Sequence, residues 1–271
     1  MNTCQTCGNT YEGKYCNLCG EKVFHPGQNK VHHLVEEALH FFTHFDSKYL
    51  KTLLLLLKKP GQYTLDYCEG VRVKYYKPVS FLILTVVIYI LSPLKFDGLN
   101  NTLHSQLHNT GFADLKLGWK SARQALKGID DATYEILYKQ KSAIVSKVLI
   151  FAWLPVWLMY LSLVNVITRK RKTIFENFIA LVELKSLHIW VGYMLTCILI
   201  IPVILFYGEE GALIQFAGTI PFLIYCALFF KRYFKIHTGI AVTAAVVLMA
   251  LEFLLIPYYR LLLFYIANQL V

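Results

Sequence analysis

Charge is scarce in this chain, and acidic charge scarcest. Of 271 residues only 16% are charged, with 17 aspartates and glutamates against 27 lysines and arginines. Two soluble domains of this combined length would need more solvating charge. With 56% hydrophobic residues, 15% aromatics and a mean hydropathy of +0.47, the composition predicts a mainly α-helical, multi-pass membrane protein. Catalytic signatures are missing too: no nucleophile elbow, phosphate loop, HExxH zinc motif or dinucleotide fingerprint occurs, so an enzyme is not the default. The lack of an internal repeat argues against an inverted-repeat transporter, and no low-complexity segment is present. The N-terminus opens on polar, cysteine-rich sequence and the first long apolar run begins near Val79, so no signal peptide is expected and the N-terminal region should stay in the cytosol. The net charge of +10 does not point to nucleic acid, because the basic residues gather beside apolar runs instead of lining one soluble face.

What the chain does have is a matched pair of cysteine knuckles at residues 1–24, Cys4-Gln5-Thr6-Cys7-Gly8 and Cys16-Asn17-Leu18-Cys19-Gly20. A CxxC turn aims two thiolates at one point, and a following glycine lets the backbone curl so that its amides face sulfur. Cys4, Cys7, Cys16 and Cys19 therefore make a tetrahedral four-sulfur shell, with structural zinc as the expected cofactor and a small hairpin-like ribbon as the expected fold. Rubredoxin-type iron uses the same knuckles. A thioredoxin-like redox pair is the minority reading, since no βαβ pattern surrounds the motifs and paired thiols in a reducing compartment favour metal. Cys68, Cys197 and Cys226 are isolated.

After a linker at 25–30 with Pro26 and Gly27, the spacing of Val31, Val35, Ala38, Leu39, Phe42, Phe45, Tyr49 and Leu53 predicts an amphipathic helix over 31–59, stopped by Lys58-Lys59-Pro60-Gly61. Five spanning helices are expected beyond it, at 79–94, 143–167, 187–207, 212–230 and 239–258; the last twelve residues either extend the fifth or fold back. Short loops alternate in charge: Arg169-Lys170-Arg171-Lys172, then Glu209-Glu210, then Lys231, Arg232 and Lys235. That pattern places the N-terminus inside, the C-terminus outside, and an extracytoplasmic loop near 95–142 whose basic residues are the discordant count.

Before the first span the chain reads Lys59-Pro60-Gly61, then Gly70-Val71-Arg72-Val73-Lys74-Tyr75-Tyr76-Lys77-Pro78. A cysteine-knuckle N-terminus, a helix ending in Pro-Gly and this Gly-x-Arg-x-x-Tyr-Tyr element resemble a family of uncharacterised bacterial multi-pass membrane proteins with an N-terminal zinc ribbon. The resemblance implies architecture and location; it transfers no catalytic residue. Lys58, Lys59, Arg72, Lys74 and Lys77 form a basic cluster that anchors orientation and attracts anionic headgroups, with Arg72 the best-suited fork for a phosphate or carboxylate.

Two other constellations stand out. His33, Glu37, His40 and His44 fall within about 60° of one another on the helical wheel, a metal stripe that lacks a second Glu-x-x-His unless a dimer supplies it. Its simpler reading is a solvated polar face. Inside the spans, His188 and Glu252 are the ionisable residues able to form an intramembrane polar site, either as a buried hydrogen bond or as part of an ion path. The sequence therefore predicts an integral membrane protein acting as a binding, scaffold or regulatory module, with membrane lipids and a protein as partners and an oligomer compatible with both. A small transporter using Glu252 and the helices containing Pro155, Pro202, Pro221 and Pro257 is one alternative; an enzyme acting on a phosphate-bearing lipid is another.

Overall fold

The computed structural model describes residues 1–23, 47–91, 102–108, 112–195 and 212–271. It is mainly helical, and its residues fall into two compact units: Met1–Pro93 with Trp157–Val246, and Leu94–Val156 with Val247–Val271.

The first unit opens with the cysteine ribbon. Strands β1 (Asn2–Thr3) and β2 (Thr10–Tyr11) pair antiparallel, with Asn2 opposite Tyr11 and Thr3 opposite Thr10. The expected hairpin-like module is thus present. Helices α1 (Ser47–Lys58), α2 (Gln62–Cys68) and α3 (Pro78–Leu91) follow. Helix α1 is the described part of the amphipathic helix expected over 31–59; the stripe His33, Glu37, His40 and His44 lies outside the described residues. Tyr49, Leu53 and Leu56 are buried while Leu50, Leu54 and Leu57 are exposed, so the leucine run does present one face inward. The core of the unit is α8 (Ile174–Leu187), which packs on α1, α2 and α3. Its start follows from a capping box, in which Thr173 Oγ1 accepts from the Glu176 amide at 3.1 Å while Glu176 Oε2 accepts from the Thr173 amide at 2.8 Å. Helix α8 runs into a π-helical segment, His188–Leu195, which packs on α9 (Ala212–Phe234).

The second unit contains α4 (Leu103–His108), α5 (Ala113–Lys127), α6 (Asp131–Leu149) and the C-terminal part of α10 (Thr238–Leu270). Gly128 at φ +63° ends α5, and Asp130 caps α6 by accepting from the Thr133 amide at 3.1 Å. Leu103, Leu107, Tyr134, Tyr138, Phe264, Ala267 and Val271 form its core. Tyr134 donates to Asn268 Oδ1 at 2.7 Å, and Asn268 in turn donates to the Trp119 carbonyl at 3.3 Å. Residues 260–270 therefore continue the last helix, and the described residues between 103 and 142 of the expected extracytoplasmic loop are largely helical.

Five spanning helices are not supported. Among the described residues two helices are long and apolar enough to cross a membrane: the continuous stretch Asp131–Thr168, in which α6 passes through a 3-10 turn at Ile150–Ala152 into α7 (Trp153–Thr168), and α10. Thirty-eight and thirty-three residues give about 57 and 50 Å of helix, against a hydrocarbon core of about 30 Å. Only 33% and 28% of their most apolar windows is buried, leaving Ile144, Val148, Met159, Leu163, Val166, Val246, Val247, Phe253 and Leu254 exposed. Of the expected span at 79–94, the described part lies in α3, whose 14 described residues give about 21 Å of helix; residues 92–94 lie outside the described residues. Residues 196–207 of the third expected span lie outside the described residues.

Candidate metal centre and its docking node

The two knuckles repeat one backbone geometry. Gly8 donates to the Cys4 carbonyl and Gly20 to the Cys16 carbonyl, both at 2.9 Å; the Cys4 amide donates to the Asn9 carbonyl at 2.8 Å and the Cys16 amide to the Glu21 carbonyl at 2.7 Å. Gly8 and Gly20 sit at φ +74° and +75°, in the left-handed region where a side chain would be strained. This repetition brings the four Sγ atoms within 4.8 Å of one another, Cys4 beside Cys19 at 3.4 Å and Cys7 beside Cys16 at 3.7 Å. A tetrahedral site with metal–sulfur bonds of about 2.3 Å needs sulfurs about 3.8 Å apart, so the donor set fits a small thiophilic cation. Cys4 and Cys16 are buried; Cys7 is exposed.

The electrostatics suit a cation as well. Burial opposes ionisation of Cys16, but the amides of Cys19 and Leu18, the Asn9 side-chain amide and the Cys7 thiol outweigh it and bring its thiol down to about 6. At Cys19 the Glu21 amide favours the thiolate, yet burial and the other three thiols push it up to about 12. A divalent ion bound by the four sulfurs would displace the thiol protons.

Glu21, the residue after the second knuckle, was not singled out by its sequence context, and it is the node of the site. Its carboxylate is 4% exposed. One oxygen, Oε2, accepts from the Thr6 hydroxyl at 2.7 Å, the Arg72 amide at 3.0 Å and the Val73 amide at 2.9 Å. Thr6 lies within the first knuckle, so this oxygen joins both knuckles to the Gly-x-Arg-x-x-Tyr-Tyr segment. The matching residue of the first knuckle is Asn9, whose side-chain amide donates to Asn17 Oδ1 at 2.7 Å and to Cys16 Sγ at 3.7 Å.

The segment that receives Glu21 is itself fixed from below. Tyr76 donates its amide to Thr52 Oγ1 at 3.0 Å and accepts at its carbonyl from Tyr63 at 2.7 Å. Two side chains clamp the Pro60-Gly61 turn: Arg232 donates to the Pro60 carbonyl at 2.6 Å, and Glu183 accepts from the Gly61 amide at 2.7 Å, as well as from the Thr64 amide at 3.0 Å, the Thr64 hydroxyl at 2.6 Å and the Tyr225 hydroxyl at 3.0 Å. Gly61 has φ +79°, and a Cβ there would lie 3.3 Å from the Phe229 carbonyl oxygen. Gly61→Ala is expected to cost about 2 kcal/mol, more than Gly128→Ala, whose added methyl meets nothing within 4 Å; paired thermal denaturation in detergent ranks the two.

The remaining sequence candidates are dispersed. Lys58, Lys59, Lys74 and Lys77 are exposed. Arg72 is half-buried with its guanidinium 5.1 Å from the Tyr67 ring centroid, and its amide serves Glu21. His188 stacks between Trp157 and Phe222 at 5.4 and 4.4 Å, with Lys185 Nζ 3.3 Å from its Nδ1. Glu252 is half-buried and belongs to the other compact unit from His188. Glu183 and Lys185 are both buried, because Ile179-Ala180-Leu181-Val182 and Leu184 make α8 apolar on every face. In the second unit Lys116 is also buried and donates to the Gln106 carbonyl at 3.2 Å; burial, with Arg260 near it, pushes its ammonium down to about 8.

Residues 46–90 match a family described as a protein of unknown function (DUF3667). That is about a sixth of the chain, and it contains both the Pro60-Gly61 turn and the Arg72–Tyr76 segment. No curated protein and no solved structure matches the chain.

Proposed function

We propose that this chain is an integral protein of a bacterial inner membrane in which a cytoplasmic, structural zinc ribbon and the basic juxtamembrane segment together form a binding, scaffold or regulatory module. The observation that carries this reading is the closed cysteine tetrad seated through Glu21 on the Arg72–Val73 amides. Four sulfur ligands leave no open coordination position for a substrate, so the metal's task is to hold a shape. When bound, zinc supplies that cross-link; the protein's own residues do the rest, with Thr6 and Glu21 aligning the ribbon and Arg72 and Val73 receiving it.

Charge placement supports the orientation. Asp131–Thr168 ends at Arg169, Lys170, Arg171 and Lys172; α10 begins just after Lys231, Arg232 and Lys235, while Leu261–Val271 carries no charged side chain. Basic residues flank the end of one helix and the start of the other, which supports a cytoplasmic face at those ends and an outside C-terminus. The same residues, with Lys58, Lys59, Lys74 and Lys77, suit anionic headgroups. Purification from membranes in mild detergent is expected to give about one zinc per chain with co-purifying anionic lipid and a protein partner. Recovery in the soluble fraction, or a metal-free protein under reducing conditions, would overturn the reading.

A further inference from the structure

We infer that Glu21 is a metal-dependent latch: occupation of the four-cysteine site by a zinc-class divalent cation holds the Glu21 carboxylate on the Arg72 and Val73 amides, and loss of the cation frees that juxtamembrane segment. This inference rests on the proposal that Cys4, Cys7, Cys16 and Cys19 bind metal.

Glu21 is not a ligand, yet its place is set by ligands on both sides. It follows Cys19 by two residues, and its carbonyl accepts the Cys16 amide at 2.7 Å, which closes the second knuckle. Its side chain accepts from Thr6, held between Cys4 and Cys7. The carboxylate oxygen therefore sits where the two knuckles converge, and an ion shared by their four sulfurs would hold them there. The ribbon's other packing is slight: Cys4, Tyr11 and Cys16 are its buried apolar residues, joined by half-buried Cys19 and Val23. Such a core does not keep the knuckles together without the metal. On the receiving side, the Arg72 and Val73 amides donate to one oxygen that is almost wholly removed from water, where charge-assisted bonds are strong. Five residues after Val73, α3 begins at Pro78, and between them Lys74 and Lys77 present exposed cations. Metal occupancy is thereby coupled to the order of a basic segment that ends in the fixed Tyr75-Tyr76 pair.

The test is hydrogen exchange on the full-length protein in detergent, read on peptides covering residues 70–76, with zinc per chain measured on the same samples. Removing zinc with a chelator under reducing conditions should speed exchange at Arg72 and Val73 by about tenfold or more, and zinc should restore it. Glu21→Ala removes the acceptor while leaving the backbone carbonyl that closes the second knuckle, and should give the same acceleration while retaining stoichiometric zinc, which separates the latch from the metal site itself. Slow exchange at 70–76 after complete zinc removal, or in a zinc-loaded Glu21→Ala protein, overturns the latch and leaves metal binding intact. A wild-type protein that takes up no zinc overturns the metal site and the latch with it.

Discussion

Cys7→Ser and Cys19→Ser should each empty the metal site and unfold residues 1–23 while leaving the protein in the membrane. The expectation follows from the size of the ribbon and the closure of its shell. Structural zinc sites in small modules contribute on the order of 10 kcal/mol or more of apparent binding free energy, and that energy is folding energy when no core exists without the ion. Here the pairing of β1 and β2 involves two residues on each strand, and the buried apolar set is Cys4, Tyr11 and Cys16. A serine hydroxyl is a poor donor to a thiophilic cation, and it also removes the short sulfur–sulfur approach that each knuckle makes to the other, 3.4 Å for Cys4 and Cys19 and 3.7 Å for Cys7 and Cys16. Metal analysis after dialysis against a moderate chelator should show about one equivalent in the wild type and close to none in either variant. Membrane fractionation should not change, because the apolar helices Asp131–Thr168 and Thr238–Leu270 lie outside the ribbon. Full metal occupancy in both variants would show that fewer than four sulfurs suffice and would remove the argument for a closed structural site.

The cysteine site could be read from the sequence because its geometry is local. CxxCG fixes two sulfurs and a left-handed glycine within five residues, and writing it twice completes the shell. The capping box at Thr173 and Glu176 is local in the same way. Glu21 and Glu183 could not be found by such rules, since what makes each important is a partner far along the chain: Glu21 meets residues 51 and 52 positions later, and Glu183 meets Gly61 across 122. A signal was nonetheless present for Glu183. It interrupts Phe178-Ile179-Ala180-Leu181-Val182 and Leu184, and a carboxylate embedded in an apolar helix has to be paired. The span count failed for a related reason. Hydropathy marks apolar segments without telling a bilayer from a protein neighbour, and α3 is a short helix packed against α8, with Phe81, Leu82 and Val86 buried in protein. Asp131–Thr168 and α10 kept the larger part of their apolar surface exposed, and that exposure separates them from α3.

Glu183 also carries the largest expected effect outside the ribbon. It is fully buried, and it is the shared acceptor for the Gly61 and Thr64 amides and the Thr64 and Tyr225 hydroxyls. Burial pushes its carboxyl above the usual carboxylate range, while the bonds from Thr64, Gly61 and Tyr225 act in the opposite direction. Those donors come from the Pro60-Gly61 turn, the first turn of α2 and the middle of α9, so one side chain joins three elements to α8. Glu183→Ala leaves all four donors unpaired in an apolar place, and it should cost about 3–5 kcal/mol. For a protein of this size that is a fall of roughly 10 °C in the melting temperature. Glu183→Gln keeps the shape but turns an N–H₂ group toward donors, so an intermediate loss is expected. Tyr225→Phe removes one donor, leaves the carboxylate three, and should cost about 1 kcal/mol. The order alanine, glutamine, then Tyr225→Phe, read by thermal unfolding in one detergent, is the signature of an acceptor shared by several elements. If Glu183→Gln melts with the wild type, the carboxylate's charge is not what holds the turn, and α2 must be fixed by packing on Phe229 and the Arg232 bond to Pro60 instead.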